Sequence, residues 1–182
     1  MAAAIENIMV TQAFAELEVV FRAHQASVLK AAYRVTGSMA DAEDVSQSVF
    51  LRLARGIVDP GRISNLQSYL QKSAVNAALD LIRSRGHREV VPVETADELP
   101  SNPSLSPERA VSSLEIKNWL RRELATLNPR TAEMFVLRYL EGLDNPEIAR
   151  IMNTSQAVVA VTLHRTRARL KKGLRGFMKG AS

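Results

Sequence analysis

Apolar positions along this chain recur every three or four residues, and almost no stretch alternates residue by residue. That period predicts helices over Thr11–Thr36, Ala40–Arg55, Asn65–Ser84, Pro107–Leu127, Pro129–Leu140, Asn145–Met152 and Ser155–Phe177. The one extended candidate, Val90, Val91 and Val93, has no second strand to pair with. The helical period lapses between Gly86 and Pro107. There Pro92, Pro100 and Pro103 alternate with Glu89, Glu94, Asp97 and Glu98, a composition that reads as a flexible tether. The expected architecture is all-α, with one small helical domain at 11–88, an acidic, Pro-containing linker at 89–107 and a second helical domain at 108–177. No internal repeat is visible.

The last two helices are the most informative part of the pattern. Ile148, Ala149 and Met152 give the first an apolar face, and the turn Asn153-Thr154-Ser155 separates it from the second. Ala149 is small enough for close crossing. Asn tolerates the left-handed backbone that such a turn needs, and the Ser155 hydroxyl can cap the next helix. Val159, Leu163, Thr166 and Leu170 then form a stripe for burial, leaving Gln156, Ala160, Val161, His164, Arg165 and Arg167 on other faces. A short helix bracing a longer one is how a helix-turn-helix presents its second helix to a DNA groove. The same pattern also suits a plain helical hairpin; the turn, cap, small residue and trailing positive charge favour DNA. In the helices before it, Ile116, Trp119, Leu120, Leu124 and Leu127 read as core, and Phe135, Val136, Tyr139 and Leu140 continue it.

Charge sharpens this picture. The net charge of +5 over 182 residues suits a polyanionic partner. The positive charge is concentrated in Arg165, Arg167, Arg169, Lys171, Lys172, Arg175 and Lys179, with no acid between them. A second basic group, Lys72, Arg83, Arg85 and Arg88, closes the first domain. Each run alone is compatible with a solvated face. One in each domain suggests two-point contact with nucleic acid. The absence of cysteine excludes disulfides, Cys-based zinc sites and thiol chemistry. No apolar run is long enough to span a bilayer, and the N-terminus lacks the basic start of a secretion signal. A soluble, cytoplasmic protein without membrane insertion is expected.

In the first domain, Ser38 or Asp41 can cap the helix over Ala40–Arg55, and its early acids suit the positive end of the helix dipole. Ala42, Val45, Val49 and Leu53 mark the inward face. Asp44 and Gln47, with Asp41 beside them, are expected to point outward. A capped amphipathic helix explains all of this; an acidic docking face for a basic partner explains it equally well.

The order and spacing of four segments carry a resemblance. These are DAEDVSQSVFLRL at 41–53, SYLQKSAVNAALDLIRSR at 68–85, NPRTAEMFVLRYLEGLDNPEIARIM at 128–152 and LHRTRARL at 163–170. From Phe14 to Leu174 the chain resembles a bacterial RNA polymerase sigma factor of the extracytoplasmic-function type, in the sigma-70 family. Such proteins carry sigma region 2 and sigma region 4 joined by a flexible linker. The resemblance implies that Asp41, Glu43, Asp44 and Gln47 dock on the clamp coiled coil of the largest subunit of the polymerase core. It places Asp59–Tyr69 at the loop and helix start that open the −10 element, with Arg62, Asn65, Tyr69, Lys72, Asn76, Arg83 and Arg85 on the DNA. Single-stranded DNA is held by aromatic platforms, polar base readers and backbone cations. Tyr69, Asn76 and the basic residues match those roles, although Tyr69 fits a core position equally well. The implied −35 reader is Ser155, Gln156, Ala160, Val161, Thr162, His164, Arg165 and Arg167. Promoter DNA, core polymerase and an anti-sigma factor are the implied partners; no cofactor or metal is implied.

One departure stands out. Where the family commonly carries basic or hydroxyl residues, this chain has Ala160-Val161-Thr162. Such short side chains make no bidentate contact with guanine, which leaves Gln156 as the best base reader and Val161 or Ala160 to meet a thymine methyl. The departure keeps two alternatives open: a helix-turn-helix regulator that works without polymerase, or a sigma-fold adaptor that has lost promoter reading. An enzyme is not expected. His24, His87 and His164 are scattered, and no glycine-rich phosphate loop occurs.

Overall fold

The computed structural model describes residues 2–55, 63, 65–86 and 107–180. Among them every regular element is a helix: α1 Ala2–Thr36, α2 Met39–Ala54, α3 Leu66–Gly86, α4 Pro107–Thr126, α5 Pro129–Tyr139, α6 Asn145–Ile151 and α7 Gln156–Gly180. The seven expected helices are all present. α1 starts well before Thr11, because the Ala2-Ala3-Ala4 start favours helix even though its apolar period is weak. Residues 87–106 lie outside the described residues, so the linker up to α4, with Val90, Val91 and Val93 in it, and Arg88 at the end of the first domain are not described.

α1, α2 and α3 share one core. Gly37 ends α1 with φ 70° and its N–H donates to the Tyr33 carbonyl at 2.7 Å. Ser38 immediately caps α2, its hydroxyl accepting from the Asp41 N–H at 3.3 Å. The chain thus reverses within two residues. That turns Ala42, Val45, Val49 and Leu53 of α2 towards Val28, Ala31 and Val35 of α1 and Leu70, Ala74 and Ala78 of α3, all buried. Fully burying an aliphatic side chain of this size contributes about 1.5–3 kcal/mol.

The helices from α4 onward continue the same buried cluster through Trp119, Leu124, Met134, Leu137, Ile148, Val159 and Leu163. Trp119 is buried as expected and stacks on Phe177 with ring centroids 6.2 Å apart. Gly173 lets α7 approach it, since a methyl group there would sit 3.1 Å from the indole. Tyr139 departs from expectation. It is 45% exposed, leaning on Phe135 at a centroid distance of 4.7 Å. It is the last residue of its helix, and the chain turns away at Gly142 (φ 79°) before anything covers the ring.

The two halves touch. α3 packs against α4, α5 and α6. Arg34 of α1 bonds Glu141, in the turn after α5, at 3.0 Å. Arg121 of α4 lies across Gly37, so close that a side-chain carbon at Gly37 would fall 2.0 Å from its Nη2. Burial at this seam lowers the Arg121 pKa below its ordinary value, with Tyr33 acting in the opposite sense.

Candidate nucleic-acid and polymerase interface

The helix-turn-helix is built by local bonds. Asp144 caps α6 in a reciprocal box: its carboxylate accepts from the Glu147 N–H at 2.8 Å, and Glu147 accepts from the Asp144 N–H at 2.9 Å. This box gives a seven-residue helix a defined start and satisfies two otherwise orphaned donors. At the other end Asn153 takes φ 47°, and the Thr154 N–H donates to the Ala149 carbonyl at 2.9 Å. The guanidinium of Arg130, from α5, donates to the Met152 carbonyl at 2.7 Å. Ser155 then accepts from the Val158 N–H at 3.3 Å and starts α7. The left-handed Asn and the capping Ser occupy the positions the sequence assigns them. The Asp144 box was legible too, from an Asp followed three residues later by a Glu.

α7 divides as the spacing predicts. Val159, Leu163, Thr166 and Leu170 are buried, and the Thr166 hydroxyl is satisfied by donating to the Thr162 carbonyl at 2.8 Å. Ser155, Gln156, Ala160, Val161, His164, Arg165 and Arg167 are exposed, while Thr162 is half-buried. The downstream cations Arg169, Lys171, Lys172, Arg175 and Lys179 are also exposed, and among the described residues none of them forms an ion pair. α7 therefore presents a short, largely apolar end at Ala160–Val161 and a long cationic end.

On α2, Glu43, Asp44 and Gln47 are exposed on one face. Asp41 is not with them, contrary to the outward placement expected. It is buried, and both of its oxygens accept from the guanidinium of Arg85 at the end of α3, Oδ1 from Nη2 at 2.6 Å. The pair ties the start of one helix to the end of another. It engages two residues that the sequence assigns to separate partners, polymerase and DNA. A bidentate Arg–carboxylate bond of this kind is geometrically specific, and no local pattern reveals it, because 44 positions separate its ends.

The remaining α3 candidates fall into two groups. Asn65 is exposed and caps α3 by accepting from the Ser68 N–H at 3.0 Å, and half-buried Tyr69 packs against the hydrophobic core. Arg62 lies outside the described residues. Lys72, Asn76 and Arg83 instead face the second half of the chain, lining an open cleft of about 400 Å³ with Pro129, Arg130 and Glu133. The Lys72 ammonium donates to the Ile151 carbonyl at 3.1 Å and lies 4.0 Å from the Glu133 carboxylate. Glu133 is itself buried. Desolvation pushes its pKa up, opposed by Lys72, by a hydrogen bond from Asn76, and by Arg130 and Arg83. Sequence reasoning missed Glu133, since a lone acid on an amphipathic helix carries no signal until its neighbours are known.

Among the described residues, an all-helical fold with a capped helix-turn-helix and a cationic last helix has the make-up of a DNA-binding protein. The comparisons with known proteins say which. The sigma-70 region 2 family matches residues 20–88 and the sigma-70 region 4 family matches residues 117–170. The ECF RNA polymerase sigma factor SigW of Bacillus subtilis is 29% identical over 79% of this chain and 80% of its own length. RNA polymerase sigma factor YlaC of the same organism is 25% identical over 87% and 91%. The ECF sigma factor SigE of Mycolicibacterium smegmatis is 30% identical over 82% of this chain and 58% of its own length. The chain belongs to the sigma-70 family, as an ECF sigma factor, and directs RNA polymerase to promoters. Among its described residues no helix is long and apolar enough to cross a membrane.

Proposed function

We propose a two-point promoter grip for this sigma factor. Glu43, Asp44 and Gln47 of α2 dock on the clamp coiled coil of the polymerase core. Lys72, Asn76 and Arg83 of α3, with Arg62, Asn65 and Tyr69 before them, hold the opened −10 strand. Ser155, Gln156, Ala160, Val161, Thr162, His164, Arg165 and Arg167 of α7 meet the −35 duplex. The observation that carries this reading is the division of α7, with its stripe fully engaged in the core and the opposite face left open and flanked by unpaired cations.

Asp41 and Arg85 have a different role in this reading. Their ion pair holds the α2 face in register with the end of α3, so they position the contacts of others. The work is done by binding alone and needs no catalytic centre. It takes place in the cytoplasm, where core polymerase is found, and an anti-sigma protein restrains it. Phosphate contacts by the cationic end of α7 supply most of the affinity. Specificity at Ala160–Val161 is limited to apolar contact with thymine methyls, plus whatever Gln156 reads. Purified protein added to core polymerase, followed by transcript mapping on genomic DNA of the source organism, tests the reading. Start sites sharing two upstream elements are expected. Absence of specific starts would leave the two alternatives, a helix-turn-helix regulator that works without polymerase or a sigma-fold adaptor.

A further inference from the structure

Among the described residues eight large apolar side chains stand exposed, and two of them, Val158 and Val161, sit close together at the start of α7. They are 48% and 49% exposed. Single apolar side chains on a surface need no explanation, but a contiguous patch does. Here the patch is contiguous in sequence and on the helix, because Ala157 and Ala160 are exposed beside the valines. At about 3.6 residues per turn, Val161 points roughly 160° away from the buried Leu163. The two valines add nothing to the core, and as β-branched residues they do not favour the helix either.

The surroundings of the patch say what covers it. Arg165 continues the same face one turn on, and Arg165 and Arg167 are exposed and in no ion pair among the described residues. α7 carries no acidic residue. An apolar patch flanked only by cations suits a polyanion that shows apolar groups between its charges. Duplex DNA has such a group in the major groove, the thymine C5-methyl, and phosphates line both walls of that groove. The spacing agrees. Three residues advance α7 by about 4.5 Å, and neighbouring base pairs lie about 3.4 Å apart.

We infer that Val158 and Val161 are specificity-determining residues of α7, and that they read the −35 element through the 5-methyl groups of two adjacent thymines. The inference rests on the assignment of α7 to the −35 duplex, and it adds Val158 to that surface. Two effects act together. Each thymine methyl and its valine remove apolar surface from water. A cytosine in the same place has no methyl, and its N4 amino group would be covered by a side chain that accepts no hydrogen bond. Gln156, exposed at the first position of α7, is of the type that bonds adenine N6 and N7. The whole reading face thus favours A·T pairs.

The test uses the full chain bound to core polymerase, on the promoter of a start site found by transcript mapping, with the −10 element left unchanged. Each thymine of the −35 element is replaced in turn by deoxyuridine, which deletes only the methyl group. Holoenzyme binding should weaken about fourfold at each of two neighbouring positions, the factor that corresponds to one buried methyl group. Cytosine should cost more than deoxyuridine, and 5-methylcytosine should recover about fourfold over cytosine. Val158→Ser and Val161→Ser, both at exposed positions, assign the contacts. Each should abolish the deoxyuridine effect at one position and leave it at the other, a cycle that separates the contact from any general loss of affinity. Binding that depends on the −35 bases but not on their methyl groups overturns the inference and leaves α7 as the −35 reader. Binding that depends on no base there overturns both. A methyl effect that persists in both serine variants belongs to other residues and also overturns the inference. Loss of core polymerase binding by either serine variant would make the patch a protein-docking face, with the same consequence.

Discussion

Glu133 shows how much one residue can owe to its surroundings. Its carboxylate is buried, its closest cation is 4.0 Å away, and desolvation wins over the four groups that favour its charge. Its pKa in the folded chain therefore lies above its value in the unfolded chain. The folded state binds the proton more tightly, so the stabilising effect of protonation is complete below the ordinary glutamate pKa of about 4.3 and is lost as pH rises through the raised value. At neutral pH the charged group is a net liability to the packed state. Glu133→Gln should resist urea better than the wild type at pH 7, with the difference shrinking as pH falls through the raised value and gone below about 4.3. A less stable variant at pH 7 would mean that the cation contacts outweigh burial. Asn153 is the other residue whose identity matters locally. At φ 47°, Asn153→Ala should cost about 1–2 kcal/mol and Asn153→Gly close to nothing, measured by denaturation midpoint.

At the scale of the element, the proposed reading gives α7 two separable ends. The buried stripe secures it, the Ala160–Val161 end is poor in hydrogen-bonding groups, and the cationic end is the part proposed to supply sequence-independent attraction. Replacing both Arg165 and Arg167 by Gln should weaken promoter-duplex binding about evenly across sequences. It should also flatten the slope of log K against log salt by about 1.8, if each contacts one phosphate. A change confined to particular base pairs would instead make these arginines base readers. α2 is the complementary case. Its inward residues and its cap were legible from spacing, but its outward acidic face had to lose Asp41. An acid in the first turn of a helix looks the same in sequence whether it faces solvent or an arginine 44 positions away. Tyr139 was misjudged for a related reason, since a stripe does not reveal where its cover ends.

At the scale of the whole molecule, the exposed α2 face lies apart from the contacts that join the two halves. Asp44→Arg leaves the core and the seam untouched and reverses charge on an exposed residue proposed to dock on the polymerase. It should reduce competition with the wild-type protein for core polymerase by at least about tenfold, in line with the typical effect of disrupting a charge pair at an interface. Fold and helicity should be unaltered. Equal competition would place the docking surface elsewhere on the chain.

The sequence by itself determined the helices, the stripes that bury them, the caps at Ser38 and Ser155, the left-handed turn at Asn153 and the family. These depend on residues within one or two turns of each other, where helical geometry is universal. Only the tertiary structure decided that Asp41 belongs to Arg85, that Lys72 and Asn76 face Glu133, and that the two tethered domains share a seam. Those partners are brought together by packing between elements, and burial sets the strength and the consequence of each charge. A linear pattern records which residues are charged, but not which of them water can still reach.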